Sequence, residues 1–449
     1  MSSGPRRSWS GLQVSQTKIT LFFVFLLLSI TALVRADASG FSDLDDDCLT
    51  FNLGASCLPQ PKKVKPVPKK VPPPILSNNE IILLYPAGND VDANRVAKQY
   101  GLKIIEKAKL SSIKTGMLLA STGGKHPKQL SKIINFAEKN LEASENNSFS
   151  LSALSRRPVV TSSNYSMHET GVNSVHKTTK GKGTRVCMVD TPIDIYHTSF
   201  STASIETIDF TKYTPDKSAS LLHGTSVAGV IVSQNKYIGI APKVQLLSIA
   251  AFSYSKNSPR RLQGTSADIA KAINSCIEYK ADVINLSFTG GRDSLLEKVV
   301  KKAIEKGIIV VAAAGNGGHW GSTVYPALIP GVLAATATDK NRKLYSMADK
   351  GLFVDIAAPG VNVLTLAPGD KYELASGTSI SSAHVTGVIA LLLSQNNTVT
   401  ISDALSSTAI DLGKPGRDQE FGDGLINASR ALNVVKRGRA RSSIANHKN

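Results

Sequence analysis

Cysteine is scarce, with four in 449 residues, and none stands with histidine at the spacing of a metal site, so no metal ligand is assigned. Aromatic residues make up only 6% of the chain. They are not interleaved with its basic runs, which argues against a stacking surface for nucleic acid despite a net charge of +18. Much of that excess lies in Lys62, Lys63, Lys65, Lys69 and Lys70 and in Lys436, Arg437, Arg439 and Arg441, which read as a solvated linker and tail. Long apolar runs are also lacking. Residues 19–34 form an uncharged run of 16 residues, just short of the roughly 17 to 25 that span a bilayer. Gly181-Lys182-Gly183-Thr184 and Gly123-Gly124-Lys125 lack the spacing of a phosphate loop and read as turns.

What is there exceeds one ordinary domain. Arg6, Arg7 and Lys18 precede the apolar run and Ala36 and Ala38 follow it, the pattern of an export signal with a small-residue cleavage site. The competing reading is an uncleaved anchor, giving membrane association through residues 19–34. Residues 1–36 are therefore the signal or anchor, and 37–79 an acidic, then Pro/Lys-rich linker in which proline favours an extended spacer. Cys48 and Cys57 lie close together in this polar segment and are candidates for a small disulfide loop. Cys187 and Cys276 sit in apolar patterns and read as buried free thiols. Asn164-Tyr165-Ser166 and Asn396-Asn397-Thr398 fit glycosylation sequons.

Periodicity predicts a small unit over residues 80–151, with strands at 80–87, 103–110, 113–122 and, weakly, 149–151, and helices at 91–100 and 127–139. That order is the split ferredoxin-like pattern. Residues 152–164, a polar stretch containing Arg156 and Arg157, read as an exposed linker and so as a place where the chain is processed. The main domain is expected over 165–435 and a basic tail over 436–449. Runs rich in valine and isoleucine at 185–189, 244–249, 283–286, 308–313 and 332–336 suit strands buried on both faces. Helical patterns at 226–232, 267–279 and 295–305 alternate with them. The fold class is α/β, a mostly parallel doubly wound sheet whose active groups lie at the carboxyl ends of its strands.

Three residues at such edges make a chemical set. Asp190 ends the first main-domain strand, His223 opens His-Gly-Thr-Ser-Val-Ala-Gly, and Ser379 lies in Ser-Gly-Thr-Ser-Ile, where a helix is expected just after it. A serine at a helix start also serves as an ordinary cap. Beside a base and an acid it becomes a nucleophile, because a hydroxyl at neutral pH needs a base in reach and an acid to fix that base's tautomer. Asn316, just past a buried strand, adds a side-chain donor for an oxyanion, together with the Ser379 N–H. His384 and His197 lie near these motifs but the chemistry does not need them, so they read as packing or surface residues.

These segments resemble the subtilisin-like serine peptidase family (subtilases, peptidase S8), whose chain order is Asp, His, Ser. Gly239-Ile240-Ala241-Pro242, Val283-Ile284-Asn285-Leu286-Ser287, Ala357-Ala358-Pro359-Gly360 and Phe421-Gly422-Asp423-Gly424-Leu425 resemble further family landmarks in the right order. The resemblance implies a serine endopeptidase with Asp190, His223 and Ser379 as triad and Asn316 as oxyanion donor. It implies that Ser287, Phe288, Thr289 and Gly290 pair with substrate backbone, and that Ala313, Ala314 and Gly315 line the pocket for the side chain before the scissile bond. It makes residues 80–151 a propeptide and an export product of the whole chain, secreted, periplasmic or at the cell surface. The implied chemistry needs no cofactor. Family members often carry calcium, yet no acidic loop here has its ligand spacing. Expected partners are protein or peptide substrates and the chain's own propeptide, and the enzyme is expected to be monomeric. Departures from the family pattern are Pro192, Ala383, Ile380 and Thr289. Pro192 leaves a second reading open, an exported binding or adhesion module with little proteolytic activity.

Overall fold

The structure is a computed structural model that describes residues 79–446 other than 152–153, 158–163, 212–216, 256–257, 319–323 and 396–399. The expected export segment, the Cys48 and Cys57 pair, the Pro/Lys linker and the second sequon lie outside the described residues.

Runs of valine and isoleucine offer no wet face, and they build the middle of a seven-stranded sheet. In spatial order its strands are Ile356–Pro359, Val332–Thr338, Ile309–Ala313, Val283–Leu286, Arg185–Asp190, Gln245–Ala250 and Ser204–Asp209. Every pairing is parallel. The inner five were expected from their apolar runs. Ser204–Asp209 was not, because its charged, largely exposed pattern is that of an edge, and Ile356–Pro359 is only four residues long.

Side chains alternate across the sheet as the period of two requires. Val186 and Met188 join helices Lys217–Val232 and Thr378–Leu393 in one core, while Cys187 and Val189 join helices Ser266–Glu278 and Ser294–Glu305 in the other. Helix Thr378–Leu393 is buried from Thr378 to Leu392, as an all-round apolar helix must be. Asp293 starts helix Ser294–Glu305 by accepting the Leu296 N–H at 2.8 Å.

The free-thiol expectation is overturned: Cys187 and Cys276 are joined in a disulfide, with Cα atoms 5.6 Å apart. Both residues are apolar in pattern, as read. That they meet depends on the packing of strand against helix across 89 residues of sequence.

The small unit is a four-stranded antiparallel sheet ordered Lys103–Leu110, Thr115–Ser121, Glu80–Pro86, Glu142–Glu145. Its fourth strand is therefore Glu142–Glu145, not 149–151. That strand reads Glu-Ala-Ser-Glu with only Ala143 buried, a pattern too polar to register as a strand. One face of the sheet packs on helices Asp90–Gln99 and Pro127–Ala137. The other face, with Ile82, Leu84, Met117 and Leu119, is buried against the main domain. Residues 155–157, expected as exposed linker, form a strand against Lys371–Ser376. The basic tail starts inside helix Ala428–Asn446. Among the described residues no helix is long and apolar enough to cross a membrane.

Candidate active site

Asp190 closes the strand Arg185–Asp190 at the carboxyl edge of the sheet and is fully buried. Its Oδ1 accepts the Thr191 N–H at 2.7 Å and lies 2.7 Å from Nδ1 of His223. A carboxylate only accepts, so Nδ1 carries the proton and Nε2 presents its lone pair. Nε2 is buried without a hydrogen-bond partner. His223 stands within helix Lys217–Val232 rather than ahead of it. Pro192 does not displace the pair. The neighbouring Thr191 ties the acid's loop to this helix by accepting the Gly224 N–H at 2.9 Å.

Ser379 is the second residue of helix Thr378–Leu393, so its N–H is among those with no acceptor inside the helix. The chain enters through Gly377 at φ 156° and ψ 159°, a backbone region that is essentially glycine's alone. The Ser379 hydroxyl donates to the Ser287 carbonyl at 3.0 Å. It is therefore turned toward the predicted substrate edge and not bonded to His223. Beneath it Asn285, Ser287, Ser382 and Thr386 form a buried hydrogen-bonded set.

Asn316 is held by Thr378, whose N–H and hydroxyl donate to Oδ1 at 3.0 and 2.9 Å. Two donors on one atom identify it as the carbonyl oxygen and orient the amide. Nδ2 is left buried and unpartnered. Thr378 also accepts the Gly315 N–H at 3.2 Å, tying the segment Ala313, Ala314 and Gly315 to the nucleophile's helix. Sequence reading missed this role of Thr378; its place directly before Ser379 was the available signal.

The segment expected to pair with substrate does pair with a peptide, one belonging to the same chain. Ser148–Ser150 lies antiparallel to Thr289–Gly290 on one side and to Gln263, Gly264 and Thr265 on the other. Phe149 is fully buried, edge-on to Phe288 with ring centres 5.8 Å apart, and Phe252 lies 5.0 Å from Phe288. Gly290 makes room: a Cβ there would stand 2.3 Å from the Phe149 ring. Beyond the cleft, Leu154 is buried within 3.1 Å of where a Gly377 Cβ would be, as is Asn316 Nδ2.

His384 and His197 stay out of the site. His384 is fully buried and donates from Nδ1 to the Ile380 carbonyl at 2.9 Å, and burial pushes its imidazole down to about 4. His197 accepts the Ser199 N–H on Nδ1 and donates from Nε2 to the Lys371 carbonyl. Among the described residues no three His, Cys, Asp or Glu side chains come together as a metal site.

A family model described as the subtilase family matches residues 181–424, more than half of the chain. The thermophilic serine proteinase of Bacillus sp. (strain AK1) is 36% identical over 263 residues, a match spanning 57% of this chain and 63% of that protein. Subtilisin DY of Bacillus licheniformis is 36% identical over 263 residues, spanning 56% of this chain and 92% of that protein. In fold the chain is similar to fervidolysin from Fervidobacterium pennivorans, with a TM-score of 0.68 at 23% identity, covering 79% of this chain and 61% of that one.

Proposed function

Because the chain belongs to the subtilase family, we propose that it is a serine endopeptidase made as an exported precursor that cuts itself. The observation that carries this reading is the buried bond between Asp190 and His223, with Nε2 unpartnered. His223 takes the Ser379 proton as the hydroxyl leaves the Ser287 carbonyl and attacks a peptide carbonyl, while Asp190 supports the imidazolium that forms. Asn316 Nδ2 and the Ser379 N–H donate to the oxyanion. The imidazolium then protonates the leaving amine, and water activated by His223 releases the acyl group. An extended peptide is held by backbone pairing to Ser287, Phe288, Thr289 and Gly290, with Ala313, Ala314 and Gly315 lining the adjoining pocket. Backbone pairing selects little sequence, so a range of protein substrates follows.

Self-processing is supported by the path of the leader. The register Ser150 to Thr289 runs toward Ser287, whose carbonyl holds the Ser379 hydroxyl. The chain pairs again at Ser155 with Ser376. The bond cut therefore lies between Leu151 and Leu154, not beside Arg156 and Arg157. Export is supported by the signal pattern of residues 1–36 and by a disulfide, which persists in oxidising compartments.

Two measurements test this. A fluorophosphonate probe labels the parent protein and not Ser379→Ala; equal labelling of both overturns the assignment. Mass spectrometry of the processed protein finds a new N-terminus after residue 151, 152 or 153, absent from Ser379→Ala. A terminus after Arg157 overturns the cut site.

A further inference from the structure

Glu373 stands on the strand Lys371–Ser376, six residues before Ser379. One of its oxygens accepts the Ser226 hydroxyl at 3.0 Å, and Ser226 lies one helical turn beyond His223. The other lies 3.8 Å from Nε of Arg156, with the Glu373 side chain only 12% exposed. Among the described residues Arg156 is its one ion-pair partner. That partner belongs to the segment just past the leader's cut site, so processing can withdraw it and leave a poorly hydrated acid beside the cleft.

We propose that Glu373 is a specificity-determining residue, forming a subsite that takes a basic side chain on the departing half of an extended substrate. The inference rests on the peptidase reading above. Ser155, Arg156 and Arg157 pair antiparallel with Ser376, Ala375 and Leu374, so a substrate continuing past the nucleophile adds to the same edge. Arg156 faces Ala375. Glu373, two residues along that strand, points to the same side of the sheet and is the diagonal neighbour of Arg156. The residue selected is therefore the second one after the position that Leu154 fills. Main-chain pairing is blind to sequence, so preference here must come from a side-chain contact. Among the described residues, Glu373 makes the one ion pair between Ser155–Arg157 and this strand. Burial raises the pKa of Glu373, opposed by the charge of Arg156 and the Ser226 bond, so a basic side chain relieves a desolvated acid.

The test uses the enzyme recovered from expression of the full chain and two peptides that differ at this one position, arginine against its neutral isostere citrulline. The expected kcat/KM ratio favours arginine by about five- to ten-fold, the scale of a partly buried ion pair. Glu373→Gln brings the ratio to about one and Glu373→Lys brings it below one. Because a ratio is independent of how much enzyme is active, partial misfolding of a variant does not move it, and the parent ratio alone decides should a variant not fold. A parent ratio near one, or a ratio unmoved by Glu373→Gln, overturns the subsite while cleavage of both peptides leaves the peptidase reading standing. Folded parent enzyme that cleaves neither peptide overturns the peptidase reading, and the subsite with it.

Discussion

Two short stretches of the chain, one on each side of the proposed cut, lie against the main domain on either side of Ser379, and they are held differently. Ser148–Ser150 is clasped along both edges and anchored by Phe149, buried between Phe288 and the space left by Gly290. Ser155–Arg157 is paired along one edge, with all three residues exposed and one long-range charge contact. Burying a phenylalanine contributes about 1.5–3 kcal/mol, whereas the partly buried ion pair of Arg156 with Glu373 contributes about 1 kcal/mol. On the proposed reading, the incoming half of a peptide is gripped by shape and the departing half is sampled by charge. That asymmetry suits a hydrolase whose first product must leave from the weakly held side before water arrives.

On the proposed mechanism, one reaction centre serves both halves. Asn316→Ala tests this most severely. It should lower kcat by roughly a hundred- to a thousand-fold, a magnitude borrowed from the equivalent loss in subtilisin itself, and equally for peptides varied on either side. A loss confined to one peptide series would break the common centre. Next in size, Phe149→Ala should weaken retention of the cleaved leader by roughly 3 kcal/mol, about a hundred-fold. Arg156 lies on the other fragment, so Arg156→Ala should leave it unchanged. Dissociation of the two fragments after processing measures both, and similar losses would erase the distinction.

A smaller effect sharpens the incoming side. Gly290→Ala puts a methyl group where the Phe149 ring lies and should cut preference for phenylalanine over alanine at that position by about ten-fold, as overpacking does. Smallest is a pH effect on the departing side. Desolvation holds Glu373 above its ordinary value of 4.5, so the carboxylate is neutralised, and the arginine-to-citrulline ratio falls toward one, as pH drops through a range beginning above 4.5. The groups acting on it are Arg156 and His223. His223 serves both peptides alike and cancels in the ratio. A ratio flat with pH counts against charge as the selector.

The pattern of valine and isoleucine made the parallel sheet legible because strands buried on both faces show it without tertiary help. Asp190, Asn316 and Ser379 were legible as candidates because each sits at an element's edge, and His223 because it stands in a motif of small residues that permits close packing. Glu142–Glu145 was not, since a strand with one buried side chain carries too little pattern. The destination of Phe149 was not either, because a hydrophobic residue does not reveal whose core it joins.

By itself the sequence determined the layered α/β fold of the main domain, the order Asp190, His223, Ser379 and the presence of Asn316, all of which depend on local periodicity and residue chemistry. Tertiary structure alone decided that Cys187 meets Cys276, that Thr378 turns the Asn316 amide, that Ser148–Ser150 pairs with Thr289–Gly290 and that Glu373 faces Arg156. Each of these is a contact between segments far apart in the chain, and such pairings are settled by how packed elements place side chains, which no local pattern encodes.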